Sequence, residues 1–134
     1  MRIYIDGVFD LFHRGHLESL RHAKFLYPEV ELVVGVVSDS DAESYKRKPI
    51  IQEEDRVEII KQIKWVDHVI CPCPLIVTTE FLQEHHIDLV VHGFVNDDDR
   101  TRQESFFEKI KDQFQEIPYY SKISTTDIIK MIKQ

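Results

Sequence analysis

The sequence predicts an α/β domain built on a doubly wound parallel sheet, and three observations support this prediction. Strand-like and helix-like segments alternate along all 134 residues. The strand-like segments 31–37 and 87–92 are nearly continuous apolar runs, typical of strands that are buried on both faces of a parallel sheet. No linker, repeat or low-complexity stretch divides the chain, so residues 1–134 are expected to form a single domain.

The elements follow from apolar periodicity and from the residues that end each segment. Apolar runs predict strands over residues 2–5, 31–37, 66–71, 87–92 and 116–120. Helices are predicted over 15–27, from 53 onward, and over 79–86, 103–114 and 125–133. The acidic run Asp97–Asp99 is predicted to be a solvated loop. Right-handed crossovers then bring the carboxyl ends of the strands to one edge of the sheet, where ligands bind in such folds. The residues expected at this edge are Gly7, Ser38–Asp39, Gly93 and Ser121.

Composition excludes several classes of function. Seventeen Lys and Arg against 24 Asp and Glu give a net charge of −7, which disfavours general nucleic-acid or membrane-surface binding. No apolar run approaches the roughly 20 residues of a membrane-spanning helix. The charged residue Asp6 interrupts the first apolar stretch before it reaches the length of a signal peptide's apolar region. The pair Cys71 and Cys73 gives no disulfide framework, so a cytoplasmic location is expected. An anionic ligand must therefore be bound by a local cluster of positive groups.

The segment 6–16 is the most informative part of the chain. It leaves the first strand and places His13 and His16 at the start of a helix, where free N–H groups and the helix dipole favour an anion. Gly7 permits a tight turn, and Gly15 permits close approach of a phosphate. Two histidines three residues apart also occur by chance at helix starts, and a metal site would lack its remaining ligands. The residues alone leave these interpretations open.

The pattern Gly-x-Phe-Asp followed by His-x-Gly-His, over residues 7–16, resembles the nucleotidyltransferase superfamily, and more narrowly the cytidylyltransferases that make CDP-alcohols. Matching blocks continue in the family's order at 33–39, Lys46, 54–56, 64–69 and 124–129. The resemblance implies a Rossmann-like fold that couples CTP to a phosphoalcohol with release of pyrophosphate. It also implies Mg²⁺ bound mainly through substrate phosphates, no metal ligands from the protein, and a homodimer. The blocks around Lys64 and His92 look most like ethanolamine-phosphate cytidylyltransferase, whereas residues 11–13 and 27–28 look as much like the choline-phosphate enzyme.

The resemblance also implies roles for individual residues. The implied catalytic residues are His13, His16 and Lys46. The implied nucleotide-binding residues are Gly7, Val8, Phe9, Gly15, Arg56, His92, Gly93, Ser124, Thr125 and Thr126. The implied acceptor-binding residues are Asp6, Asp10 and Leu75. Structural alternatives stay open for three of these assignments: Lys46 in an exposed basic loop, Arg56 paired on its own helix, and Ser124 with Asp127 as a capping box. The resemblance also places Trp65 at a dimer contact, and packing in the core is the alternative.

The chain departs from the family at two places. Tyr119, Tyr120, Ser121 and Lys122 replace an Arg-Thr-Glu-Gly segment, and Lys122 is the candidate to restore the lost positive charge. Leu75 stands where relatives carry an aromatic residue, which removes a cation–π partner for an alkylammonium. We therefore expect phosphoethanolamine as acceptor, then phosphocholine or glycerol 3-phosphate. The alternatives are an enzyme that uses ATP or an unusual acceptor, and a catalytically weakened nucleotide-binding protein.

Overall fold

Five parallel strands form the centre of the computed structural model, which describes residues 1–120 and 122–134. The strands are β1 (Arg2–Gly7), β2 (Glu31–Val36), β3 (His68–Ile70), β4 (Leu89–His92) and β5 (Phe114–Glu116). They lie in the order β3-β2-β1-β4-β5, and every pair is parallel. The chain builds outward from β1 on one side and then crosses to β4 on the other. The strand order therefore reverses between β1 and β4.

Helices cover both faces of this sheet, which confirms the doubly wound prediction. They are α1 (Arg14–Lys24), α2 (Asp39–Tyr45), α3 (Glu53–Lys61), α4 (Thr79–Glu84), α5 (Asp97–Gln103) and α6 (Thr125–Lys133). Alternate residues of β1 point to opposite faces: Ile3 and Ile5 enter one apolar cluster with Leu20 of α1, whereas Tyr4 enters the other with Leu82 of α4. Each cluster anchors one helical layer, so the strand ends are held in fixed positions.

The structure corrects four of the predicted elements. Residues 39–45 form α2, which was not predicted. The acidic run Asp97–Asp99 is not a solvated loop but the first turn of α5, capped by the side chain of Asn96, which accepts from the Asp99 N–H at 2.9 Å. Residues 104–113 form a 3₁₀ helix with a non-helical break at Ile110 rather than an α-helix. The last strand is β5, two residues earlier than predicted.

Two further observations limit what the fold can contain. Throughout residues 1–120 and 122–134, none of the helices is long and apolar enough to cross a membrane. The same residues contain no group of three or more His, Cys, Asp or Glu side chains arranged to hold a metal ion.

Candidate active site

A pocket of about 630 Å³ opens at the carboxyl ends of β1 and β4, where the strand order reverses. Doubly wound sheets bind their ligands at this point, and the volume is typical of a small-molecule site. Its walls are the loop after β1, the residues after α2, the segment from β4 through α5, and the start of α6. The predicted site residues that line it are Asp6, Gly7, Val8, Phe9, Asp10, His16, Lys46, His92, Gly93, Ser124, Thr125 and Thr126.

His13 and His16 cap the N-terminus of α1 reciprocally. Nδ1 of His13 accepts a hydrogen bond from the N–H of Gly15 at 3.0 Å, and Nδ1 of His16 accepts one from the N–H of His13 at 3.2 Å. The two rings stack with their centroids 3.9 Å apart. In a capping box the side chains of the cap residue and of the third helical residue each bond the other's backbone. The spacing of three residues therefore brings both rings to one end of the helix.

These contacts determine which ring nitrogen carries the hydrogen. Since both Nδ1 atoms accept, a neutral ring at either position carries its hydrogen on Nε2. Burial, helped by the nearby His13 and Lys46, lowers the pKa of His16 to about 3. Burial also lowers the pKa of His13, against the opposing charge of Asp127. Near neutral pH both rings are therefore uncharged donors through Nε2–H.

The Nε2 atom of His13 is a donor without a partner. His13 is 9% exposed and does not line the pocket itself, but its ring stacks on that of His16, which does. Its Nε2 is buried and finds no hydrogen-bond partner anywhere in the described part of the chain. Buried polar atoms are nearly always paired. This nitrogen is therefore positioned for an acceptor atom that a ligand would bring.

Gly15 leaves the space that the His13 ring needs. A Cβ atom at this position would lie 2.8 Å from Cε1 of His13 and 3.0 Å from the hydroxyl of Tyr119. Either contact would force a side chain to move. Gly15 therefore maintains the histidine geometry, whereas the sequence suggested only that it lets a phosphate approach.

The loop between β1 and α1 has an unusual backbone. Phe9 and Leu11 have φ angles of 56° and 48°, a left-handed conformation that bulky residues rarely adopt. Packing holds this conformation, because Phe9 is 6% exposed and its ring meets His16 edge-on at 5.5 Å. Such conformations cluster at functional sites. Here the conformation places Phe9 beneath the ring of His16.

The N-terminus of α6 faces the same pocket. Ser124 and Asp127 cap it reciprocally, each accepting from the other's N–H at 3.1 Å, which confirms the capping box. The hydroxyl of Thr125 donates to the carbonyl of Asp10 at 2.8 Å and ties the helix to the loop after β1. The start of α6 thus lies in the lining of the same pocket as His16 of α1, and the free N–H groups of α6 favour an anion there.

The residues after α2 add positive charge. Lys46 and Arg47 both line the pocket, and Arg47 donates from Nη1 to the hydroxyl of Thr126 at 3.3 Å. Arg102 and Lys130 line it as well. Four cationic side chains therefore line the pocket of a chain of net charge −7, together with five aspartates, of which Asp10 and Asp127 are engaged by backbone N–H groups.

A largely buried carboxylate also lines the pocket, within electrostatic reach of Lys46. The side chain of Asp6 is 9% exposed, and Nδ1 of His92 lies 3.4 Å from its Oδ1. Within the described residues no hydrogen bond reaches this carboxylate, and Nδ1 of His92 also lacks one. Burial and the charge of Asp6 raise the pKa of Tyr45, which lines the pocket nearby, so its phenol stays neutral. A buried carboxylate is costly unless a cation pairs with it, so this part of the pocket suits a cationic group.

Arg56 is a structural clamp and does not reach the pocket. The side chain is completely buried, and it is absent from the pocket lining. Its guanidinium donates to the carbonyls of Val8, Val37 and Ile51 and to the carboxylate of Asp39, at 2.6 to 2.9 Å. The expected direct contact with the nucleotide is therefore replaced by support for the loop after β1.

Asp10 and Leu75 also differ from expectation. The carboxylate of Asp10 accepts hydrogen bonds from the N–H groups of Ile50 and Ile51 at 2.8 and 2.9 Å. Asp10 therefore lines the pocket, but its carboxylate is used to hold the neighbouring loop in place. Leu75 does not line the pocket and instead packs in a small apolar cluster that includes Tyr45. Tyr45, which the sequence did not single out, is the aromatic residue near Asp6.

The segment that departs from the family contributes one residue to the site. Tyr119 lines the pocket near Gly15, and burial raises its pKa to about 12, so its hydroxyl is a neutral donor. Lys122 is exposed and is not brought to the pocket, so it does not restore the lost charge there. Arg14 lies 5.4 Å above the ring of Tyr120. Ser121 lies outside the described residues.

Sequence reasoning missed the contribution of α5. Its residues Asp98, Asp99, Arg102 and Gln103 line the pocket, and Asp99 is 3% exposed. The signal was available, because Asn followed by three Asp residues is typical of a helix N-terminus. Nothing in the sequence showed that this helix would lie across the mouth of the pocket.

Comparisons with known proteins agree with this geometry. The family model described as cytidylyltransferase-like matches residues 4–131. The chain is 38% identical over 135 residues to choline-phosphate cytidylyltransferase 2 of Arabidopsis thaliana, covering 98% of this chain and 44% of that protein. It is 40% identical over 97 residues to ethanolamine-phosphate cytidylyltransferase of the same plant, covering 69% and 23%. The chain thus spans less than half the length of these relatives.

A solved structure shares the fold. The crystal structure of the lipopolysaccharide core biosynthesis protein from Thermoplasma volcanium GSS1 superposes with a TM-score of 0.70 at 30% identity, covering 90% of this chain and 98% of that one. Fold, pocket and family match all agree with the resemblance seen in the sequence. The chain belongs to the cytidylyltransferase-like family.

Proposed function

We propose that this domain transfers CMP from CTP to a small phosphoalcohol and releases pyrophosphate, forming a CDP-alcohol for phospholipid synthesis. The observation that carries this proposal is the stacked pair of neutral histidines at the start of α1, of which His16 lines the pocket where the strand order reverses and His13 lies against its ring. The names of the relatives, choline-phosphate and ethanolamine-phosphate cytidylyltransferase, support the same reaction.

The reaction needs positioning and charge neutralisation rather than a covalent intermediate. A phosphate oxygen of the acceptor attacks the α-phosphorus of CTP, the new P–O bond forms, and the bond to the β-phosphate oxygen breaks as pyrophosphate leaves. His13 and His16 donate from Nε2 to phosphate oxygens, and these bonds strengthen as negative charge develops. Lys46 lies across the pocket and bridges the phosphates of the two reactants. Arg47 and Lys130 add positive charge at the same end.

Mg²⁺ is proposed as the metal of the reaction, bound mainly through the phosphates. The pocket fits such an ion, because Asp98 is exposed in its lining and offers oxygen ligands of the kind Mg²⁺ takes. Mg²⁺ would neutralise phosphate charge. His13, His16 and Lys46 would still orient the phosphates.

The acceptor-binding part of the pocket supports phosphoethanolamine ahead of phosphocholine and glycerol 3-phosphate. The carboxylate of Asp6, which lies 3.4 Å from Nδ1 of His92, suits an ammonium group that can donate hydrogen bonds. A trimethylammonium group has no N–H and depends on aromatic faces. Tyr45 lines this part of the pocket, whereas Leu75 lies behind it. Glycerol 3-phosphate would leave the buried carboxylate without a cation.

Two alternatives remain distinct from this proposal. Tyr119 stands in the segment where relatives carry an arginine, and Lys122 lies away from the pocket, which motivates a weakened protein that binds nucleotide without turnover. The same segment motivates an enzyme that uses ATP or an unusual acceptor. The intact donors on α1 and the cations at the pocket favour an active transferase.

We also propose that two copies of the chain associate through the surface around Trp65. Trp65 is half-buried against Phe25, which is 65% exposed, with ring centroids 6.0 Å apart, and Arg21 lies 4.9 Å above the Trp65 ring. Sedimentation of the wild type and of Phe25→Glu tests this proposal. A dimer that the substitution dissociates is expected, and a monomeric wild type would contradict it.

The experiment that tests the function is an initial-rate assay of pyrophosphate release with Mg²⁺, using CTP or ATP against all three acceptors. We expect turnover with CTP, fastest with phosphoethanolamine, and loss of turnover in His16→Ala. CTP binding without turnover would indicate the weakened protein. Turnover with ATP alone would overturn the choice of nucleotide.

A further inference from the structure

Helix α5 brings a buried carboxylate to the pocket that the proposed reaction does not use. Asp99 is 3% exposed, yet it lines the pocket. Its carboxylate accepts from the N–H of Val95 at 3.0 Å and from Nε2 of Gln103 at 2.5 Å. These bonds, with the Asn96 cap on its own N–H, fix the position of the carboxylate. A fixed negative charge in a phosphate-binding pocket requires a reason, because it repels the ligand.

The position of Lys46 supplies that reason. Its Nζ lies 3.8 Å from Oδ1 of Asp99, within ion-pair range but beyond hydrogen-bond length. The ammonium is therefore attracted to Asp99 without donating a hydrogen bond to it. Within residues 1–120 and 122–134 its three N–H groups make no hydrogen bond, which leaves them for phosphate oxygens. A lysine side chain has many rotamers, so an attraction that leaves its donors free selects the rotamers that reach the pocket.

We propose that Asp99 is a positioning residue, which holds the ammonium of Lys46 over the phosphate-binding end of the pocket through charge alone. The part of this proposal that concerns turnover rests on the proposed function, because that function gives Lys46 its role. The interaction between Asp99 and Lys46 does not depend on the proposed function. The charged and titratable groups that face Lys46 are Asp99 and Arg102 from α5, Asp6 from β1, His16 from α1, the adjacent Arg47, and Tyr45, whose ring centroid lies 5.6 Å from Nζ.

The pKa of Lys46 reports directly on its interaction with Asp99. Burial lowers the pKa of Lys46, Asp99 acts to raise it, and Arg102 acts to lower it. Arg102 also lies 3.8 Å from the same oxygen of Asp99. Removing the carboxylate and removing the guanidinium should therefore shift the pKa of Lys46 in opposite directions. A purely structural role of α5 gives no such pair of opposite shifts.

The first experiment is a substrate-free titration by NMR on protein with ¹³C-labelled lysine, with the Lys46 signal assigned through Lys46→Arg. Asp99→Asn should lower the pKa of Lys46, and Arg102→Gln should raise it. Asp97→Asn is the matched control, because it removes the same charge from the same helical turn at an exposed position outside the pocket lining. The control should leave this pKa unchanged.

The second experiment separates positioning from simple repulsion by steady-state kinetics near pH 7.5. Asp99→Asn should lower kcat about tenfold or more, since small misplacements of a catalytic group are costly, while the KM for CTP does not rise. If Asp99 only repelled the nucleotide, the substitution would instead raise kcat/KM. A kcat unchanged from wild type would also overturn the proposal.

The experiments still test the proposal if a variant does not fold or if the protein has no transferase activity. If Asp99→Asn does not fold, as judged by its melting curve, the Arg102→Gln titration decides, and an unchanged or lowered pKa of Lys46 overturns the proposal. If wild-type protein shows no turnover, the proposed function fails, whereas the NMR shifts still report on Asp99. An Asp99→Asn titration identical to that of wild type would refute the interaction whatever the activity.

Discussion

Replacing Gly15 by Ala should remove activity while leaving stability nearly unchanged. The added methyl would lie 2.8 Å from Cε1 of His13, so the ring must move and lose its hydrogen bond to the backbone of residue 15. Loss of a helix cap costs about 1 kcal/mol. Replacing glycine by alanine within a helix stabilises the folded protein by about 0.5–1 kcal/mol. These contributions nearly cancel, so the free energy of unfolding should change by less than about 1 kcal/mol.

The effect on turnover should be much larger. A displaced His13 ring takes its Nε2–H away from the phosphate oxygen it is positioned to bind, and loss of one such donor reduces kcat by about 10²–10³-fold. Urea unfolding measures the stability, and pyrophosphate release under saturating CTP measures kcat. His22→Ala is the control, since His22 is exposed on the same helix. A folded Gly15→Ala protein with wild-type kcat would refute the assignment of His13 as a donor.

Four other predictions follow from the same geometry. His16→Ala should lower kcat by at least about 10²-fold in folded protein, and unchanged turnover would exclude His16 from the reaction. Long-range ¹H–¹⁵N spectra should show both His13 and His16 as neutral Nε2–H tautomers at pH 7, and a signal from an imidazolium at either position would contradict the capping geometry. Because the pKa of His16 falls to about 3 on folding, the unfolded state binds more protons between that pH and 6.5. The stability contributed by His16 is therefore lost as pH falls through this window, and urea titrations of wild type and His16→Ala should converge there. Arg56→Met should destabilise the protein by about 3 kcal/mol or more, because it leaves buried acceptors unpaired, and a loss below about 1 kcal/mol in urea unfolding would contradict the clamp.

The fold was largely predictable because the strands carry their own signal. The apolar runs that became β2 and β4 have few polar residues, so only burial on both faces suits them. The segments that were missed lack such a signal. Residues 39–45 contain mostly polar side chains, and their helix depends on the Ser38 cap, which accepts from the N–H of Asp41 at 3.2 Å.

The candidate site was predictable where chemistry and spacing coincide. The spacing of His13 and His16 placed both on one helix end, but the sequence could not show that their Nδ1 atoms are used for capping. That knowledge decides which nitrogen donates. The resemblance supplied most of the other residues, and the pocket brought the majority of them together.

The errors have a common physical cause. Arg56 was assigned to the nucleotide because a cation in a phosphate-binding family suggests an anion as its partner. Its actual partners are mainly backbone carbonyls from three segments, which no sequence pattern reveals. Asp99 was assigned to solvent because acidic runs are usually exposed. Its burial depends on how α5 packs at the pocket, which is set by tertiary contacts.

The central claim is that the α-phosphate of CTP is transferred to a phosphorylated alcohol at this pocket, and label transfer tests it most directly. Protein, Mg²⁺ and phosphoethanolamine would be incubated with CTP labelled at the α-phosphorus, and the products separated. The account predicts that the label appears in CDP-ethanolamine while pyrophosphate is released unlabelled, and that His16→Ala abolishes this transfer. Label that remains in CTP, or appears only in CMP, in protein that binds CTP would contradict it.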